Sequence, residues 1–321
     1  MSAPVVFMFP GQSSRYPEMI EKLTAARRQS ATLVSHASEI LGRDLAGHFR
    51  GSNSAVFASN RDVQVGVFLA NHLHLKLLEE AGIESAWSLG LSLGEYNHLV
   101  HIGALSFEEA LPLVDERGRL YEAAHDSNPG VMVSLFPIDA VTVDRTIAAL
   151  GLSSRVVVGL YNSPRQQVLT GEQAACEQVI ATLEDGAYLE AVEIERRIPM
   201  HAPLFEPVAR SLAAVLARTA LTAPARPYVP NVLGEIVEGA SPEQIRACLT
   251  AHVYRPVRWQ QSVDVLAARL GSPCFLEVGP RAVLCNLFGR GWTPGRRAAT
   301  DSSEEWADHF AGVTAELQSA P

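Results

Sequence analysis

Ser92 stands between two glycines in Gly90-Leu91-Ser92-Leu93-Gly94, a stretch of the form G-x-S-x-G. Where such a pentapeptide follows a strand and opens a helix, the glycines let the two elements close on a strained turn, and the hydroxyl is exposed at the helix N-terminus. Free backbone N–H groups there favour a developing oxyanion. The pentapeptide alone is a weak signal, since a plain small-residue turn before a helix also fits it. A nucleophilic role also needs a base, because an unassisted serine hydroxyl attacks poorly. Ten histidines compete, at positions 36, 48, 72, 74, 98, 101, 125, 201, 252 and 309. His72 and His74 fall in a helical pattern, and His98 and His101 follow Ser92 on its own helix, pointing away from the turn. His201 differs. It comes after a strand and Ile198-Pro199-Met200, where two bodies of the chain would meet and open a cleft. Arg117 is the third candidate. It falls on the apolar stripe Phe107, Ala110/Leu111, Val114, Tyr121, and a guanidinium on a buried face must be paired. Its partner is either an internal carboxylate or the carboxylate of a ligand held by a bidentate clamp.

These residues need elements to carry them. "PVVFMFPGQ" reads as a buried strand ending in a Pro-Gly turn, and residues 17–42 and 61–81 carry helical periodicity. "AWSLGLS" is a second apolar strand running into Ser92, and residues 93–103 continue as a helix. "SFEEALPLVDERGRLYEAA" is another helix, with Ser106 as N-cap and Glu108 and Glu109 in its first turn. Strands alternating with helices predict an α/β fold with a covered parallel sheet. The middle then changes character. "VMVSLF", "AVTVDRTIAALG", "RVVVGLYNS", "QQVLTGE", "QAACEQVIATLEDG" and "YLEAVEIE" follow the order β-α-β-β-α-β, the split-βαβ, ferredoxin-like pattern. The expected organisation is a large α/β domain over residues 1–128 and 197–321, with a small ferredoxin-like subdomain, 129–196, inserted. After it the α/β composition resumes with "YVPNVLG", "EQIRACLTAHV", "SVDVLAARLG" and "CFLEVGP", and the last 25 residues read as polar and peripheral.

Composition bounds the function. The 321 residues are 47% hydrophobic and 19% charged, ordinary for a soluble globular chain. No 18-residue apolar stretch occurs, and the N-terminal apolar run is short with no basic residue before it, so neither a membrane span nor a signal peptide is expected. Cys176, Cys248, Cys274 and Cys285 show no metal-like spacing and fit a reduced cytoplasm. A net charge of −9 disfavours nucleic acid as a general partner.

The chain resembles the malonyl-CoA:acyl-carrier-protein transacylase family of fatty acid and polyketide synthesis, from about residue 5 to 285. The similar stretches are "FPGQSSRYPEM", "GLSLGEYNHLVHIGALSFEEALPLVDERG", "YNSPRQQVLTGE", "IPMHAPLFEP", "HVYRPVRW" and "FLEVGPRAVL". The resemblance implies an α/β-hydrolase-like large domain and a two-step Ser-His mechanism. It makes Ser92 the nucleophile and His201 the general base. Gln12 and the backbone N–H of Leu93 become the oxyanion hole, and Arg117 the acyl-carboxylate ligand. Gln64 and Asn162 line the pocket, and His252 lends its carbonyl to orient His201. Leu91 stands where the family usually has histidine and Met200 where serine or phenylalanine is common; both make the acyl pocket more apolar.

The implied substrates are a coenzyme A thioester and the phosphopantetheine arm of an acyl carrier protein, with no metal and no bound cofactor. A stand-alone monomer acting in trans is expected. Transfer of an unusual or longer acyl group between carriers, hydrolysis of stalled acyl thioesters, and an idle docking module are the alternatives. Carrier proteins of this chemistry are acidic, as the resemblance implies, so docking on a chain of net charge −9 calls for a local basic patch. Arg196 and Arg197, and Arg290, Arg296 and Arg297, are the candidate borders of the cleft mouth.

Overall fold

Val5–Phe9, the run VVFMF, forms the first strand, and four of its five side chains are buried. Such a continuous apolar run suits a strand covered on both faces. In the computed structural model, residues 3–53, 55–125, 129–186, 188–289, 291–302 and 305–319 are described. After β1 (Val5–Phe9) come α1 (Glu21–Ala26), α2 (Arg28–Leu41), α3 (Leu45–His48) and the long α4 (Asn60–Glu80). β2 (Trp87–Gly90) leads into α5 (Gly94–His101) and α6 (Phe107–Ala123). The next group is β3 (Val131–Phe136), α7 (Ala140–Ala149), β4 (Val156–Ser163), β5 (Gln166–Gly171), α8 (Gln173–Glu184) and β6 (Glu190–Glu195). The chain returns through α9 (Glu206–Leu216), α10 (Pro242–His252), α11 (Trp259–Leu270), β7 (Cys274–Glu277), β8 (Arg296–Ala299) and α12 (Trp306–Ser319).

The described strands make two sheets. One has the order β2-β1-β7-β8, with every pairing parallel. The other has the order β4-β5-β3-β6 and is antiparallel. Strand alternation splits the second sheet between two cores. Val131, Val133 and Leu135 pack with α7 and α8, while Met132, Leu160 and Val168 face the main core. Main-chain bonds between Tyr161 and Val257 and between Val257 and Gly159 tie the antiparallel sheet to the segment before α11. Of the expected subdomain boundaries, the one at 128/129 adjoins residues 126–128, which lie outside the described residues.

Several expectations need correction. The helix expected over 17–42 begins at Glu21 and breaks at Arg27, whose backbone is extended at φ −139°. "YVPNVLG", where the α/β composition was expected to resume, runs through turns, with Tyr228 bridged to Val237. The last 25 residues are not peripheral. β8 extends the parallel sheet, and α12 buries Trp306 and Phe310. A four-residue edge strand reading Arg-Arg-Ala-Ala has no apolar alternation to betray it, and two aromatics on a polar helix are a weak signal.

The histidines predict how stability depends on pH. Burial depresses His72 and His98 to about 3, and His74 and His101 to about 4. As pH falls through 6.5, the unfolded chain takes up protons that the folded chain refuses, so stability falls with pH. Buried Glu95 and Glu277, raised to about 7, act in the opposite sense, since the folded chain keeps their protons while the unfolded chain ionises. The histidines outnumber them. Melting temperature should drop on the order of 10 °C between pH 7.5 and 5, as follows from several kcal/mol of proton linkage. A flat profile by calorimetry would contradict these buried neutral rings.

Candidate active site

The turn after β2 is as tight as the pentapeptide implies. Ser92 has φ +52°, a left-handed conformation that a non-glycine residue rarely adopts. A Cβ on Gly90 would lie 2.0 Å from the Gly94 carbonyl oxygen, and one on Gly94 2.0 Å from the Phe9 carbonyl oxygen. Both positions therefore require glycine. Ser92 Oγ lies 2.8 Å from His201 Nε2, and His201 Nδ1 lies 2.8 Å from the His252 carbonyl oxygen. A carbonyl only accepts, so Nδ1 carries the ring proton and Nε2 turns a lone pair to the serine hydroxyl. His201 is buried at φ +63°, its backbone N–H bound to the Val253 carbonyl. Burial, with the nearby Arg117 cation, depresses its pKa to about 3, so the ring is neutral at pH 7.

The oxyanion candidates flank the serine. Leu93 precedes α5, and its N–H donates no hydrogen bond among the described residues. Gln12 follows β1 and the Pro10-Gly11 turn, which approaches the elbow so closely that a Cβ on Gly11 would sit 2.9 Å from the Leu91 carbonyl oxygen. The C-terminal ends of adjacent parallel strands thus deliver Gln12 and Ser92 together.

Arg117 is fully buried on α6. Its Nη1 donates to Gln64 Oε1 at 2.5 Å, and its Cζ lies 4.3 Å and 5.4 Å from the ring centroids of Tyr121 and Tyr96. Nε and Nη2 have no hydrogen-bond partner, and no ion pair to a carboxylate forms among the described residues. Of the two partners left open by the sequence, an internal carboxylate makes no direct ion pair with it among the described residues, although buried Glu95 feels its charge. Leu91 and Met200 are buried in the main core, and Asn162, near the end of β4, is buried with Oδ1 unpartnered.

Three features escape the sequence reading. Asn231 Oδ1 accepts from the Ser92 backbone N–H at 2.8 Å while its Nδ2 donates to the Gly90 carbonyl at 2.6 Å, stapling the strained elbow. A buried asparagine in the apolar run "YVPNVLG" was the available signal. His252 contributes more than a carbonyl: its ring stacks on His201 at 4.8 Å, and Nδ1 lies 3.1 Å from Glu95 Oε2. The Tyr228 hydroxyl donates to Glu95 Oε1. Asn60, buried at the start of α4, reaches both Gln64 and Gln12.

The arginines expected at the cleft mouth separate. Arg196 and Arg197, paired with Glu193 and Glu122, line a groove of about 290 Å³ that also includes Gln12 and Asn60. Arg296 and Arg297 instead open β8, in register with Cys274 and Phe275 at the start of β7. In a parallel sheet that is the end opposite the serine. Arg296 pairs with Glu316, and Arg297 Nη1 donates to the carbonyls of Cys285 and Phe288. They serve the fold rather than the cleft border, and Arg290 lies outside the described residues.

The sequence matches the model of the acyl transferase domain family over residues 6–303. It is 30% identical over 285 residues to the malonyl CoA-acyl carrier protein transacylase of Escherichia coli strain K12, covering 88% of this chain and 91% of that protein. The fold superposes with a TM-score of 0.87 on a malonyl-transacylase solved in complex with its type II polyketide synthase acyl-carrier protein, at 29% identity, covering 97% of this chain and 100% of that one. It also superposes with a TM-score of 0.89 on the acyltransferase domain from the second module of the salinomycin polyketide synthase, at 25% identity, over 100% of this chain and 75% of that one.

Proposed function

The chain belongs to the acyl transferase domain family, and on that footing we propose that it moves a malonyl-type acyl group from coenzyme A, through an ester on Ser92, to the phosphopantetheine thiol of an acyl carrier protein. The observation that carries this reading is Arg117, a buried guanidinium with two nitrogens unpartnered on the side of the fold that holds Ser92 and His201. A buried cation with no carboxylate bonded to it is costly, and an acyl group with a free carboxylate supplies the two missing acceptors.

The chemistry follows from the hydrogen bonds. His201 Nε2 takes the proton of Ser92 Oγ as Oγ attacks the thioester carbonyl carbon. The carbonyl oxygen becomes an oxyanion between the Leu93 N–H and Gln12. Its collapse breaks the C–S bond, and the coenzyme A thiolate leaves with the proton from His201. The carrier's thiol then gives its proton to His201, attacks the acyl-serine carbonyl and releases Oγ, which recovers that proton. No redox step occurs. The His252 carbonyl stabilises the transient imidazolium through Nδ1–H, and the neutral resting state of His201 keeps Nε2 free to accept. Arg196 and Arg197, beside the Gln12 groove, are the remaining candidates for carrier docking.

Arg117→Ala, assayed with malonyl- and acetyl-coenzyme A, tests the reading. A desolvated charge-assisted pair contributes about 1.5–3 kcal/mol, so preference for malonyl should fall roughly tenfold to hundredfold. A wild-type protein that loads acetyl better than malonyl would overturn the clamp.

A further inference from the structure

A relay of side-chain amides joins Arg117 to Gln12, and its direction is set at one end. A guanidinium has only donors. Its Nη1 occupies Gln64 Oε1, so Gln64 offers Nε2 at its other corner, and Nε2 donates to Asn60 Oδ1 at 2.5 Å. Asn60 is left with Nδ2, which donates to Gln12 Oε1 at 3.4 Å. An amide by itself turns oxygen or nitrogen toward a site with almost equal ease, since the two ends have nearly the same shape. Here reversing Gln64 or Asn60, both buried, would set oxygen against oxygen or N–H against N–H and cost the desolvation of both, and reversing half-buried Gln12 would set its Nε2 against Asn60 Nδ2. The unreversed relay ends with Gln12 Nε2 unengaged by any hydrogen bond among the described residues. The Asn60 main chain is held independently of its side chain: Ser59 caps the helix, and Glu122 Oε2 accepts the Asn60 backbone N–H at 2.6 Å.

We propose that Asn60 is a positioning residue for the oxyanion hole: with Gln64 it passes the donor polarity of Arg117 along three amides, so that Gln12 presents Nε2–H, not Oε1, to the acyl oxygen. This inference rests on the acyl-serine reading above and adds to it. A ligand carboxylate engaging Nε and Nη2 of Arg117 leaves Nη1 on Gln64, so carboxylate binding and oxyanion binding draw on one network without competing for a donor.

The test is Asn60→Asp, which keeps the shape and removes the donor. Aspartate accepts from both Gln64 Nε2 and Gln12 Nε2, turning the Gln12 carbonyl toward the reacting centre. Loading of Ser92 from malonyl-coenzyme A, followed by intact mass at short times, should slow by about 10²–10³, the usual loss for one oxyanion donor, with KM changed less than about threefold. Asn60→Leu releases Gln12 without reversing it, leaves Gln64 Nε2 without its acceptor, and should cost about tenfold, so the isosteric change is the more damaging to loading. The decisive measurement is Gln12→Ala in both backgrounds. It should cost about 10² in the wild type and under about threefold in the Asn60→Asp variant. An equal cost in both backgrounds means that Asn60 acts through charge or fold alone, and the proposal falls. If the Asn60→Asp variant melts early, the same cycle run with Asn60→Leu decides it. Absence of any acyl-Ser92 in the wild type would instead sink the acyl-serine reading.

Discussion

Ser92→Ala should leave no acyl group on the protein after incubation with a malonyl thioester, while the melting temperature stays within a few degrees of wild type. The hydroxyl is the only group lost. The elbow that presents it is held by other atoms: Asn231 binds the backbone of residues 90 and 92, and Gly90 and Gly94 permit the close crossing of β2 and α5. Alanine keeps the Cβ, so the backbone strain at this positive φ is the same in both proteins. Intact-mass measurement distinguishes the outcomes. A mass increment surviving in the alanine variant would mean that a different nucleophile carries the ester. The four cysteines are the competitors to examine, although burial pushes the thiols of Cys176 and Cys248 up to about 12.

His201→Ala should slow acylation by about 10²–10⁴, the range for loss of a general base. The ring is both the acceptor of the serine proton and the donor to the leaving thiolate, so both half-reactions should fall together. Its neutral form at pH 7 follows from burial, and its tautomer from the His252 carbonyl. Quench-flow loading with the same donor measures the effect. A loss under tenfold would transfer the role to another group. The His252 ring, stacked at 4.8 Å and in contact with Glu95, is then the first to test.

Local patterning was enough to set the elements and the chemical types. The six segments of the β-α-β-β-α-β order appear as β3 to β6 with α7 and α8, because period-two alternation and helical periodicity are properties that a short window contains. The serine between its glycines, the histidine after the Pro turn and the arginine on an apolar stripe were each conspicuous as a residue type its surroundings do not call for. Which groups meet depends on how the whole chain packs. Ser92 pairs with His201 across 109 positions, and with Asn231 across 139. Neither separation leaves a trace in local periodicity. The unpaired state of Arg117 is likewise a property of the packed interior, since it depends on where every acidic side chain ends up. Arg296 and Arg297 show the same limit in reverse. Their charge suggested a docking rim, but strand direction assigns them to the far end of the sheet, because a parallel strand begins opposite the edge where its neighbours end. The polarity of the amide relay is the furthest removed from sequence. Glutamine and asparagine each carry both a donor and an acceptor, and only contact with a group that can do nothing but donate fixes which end points where.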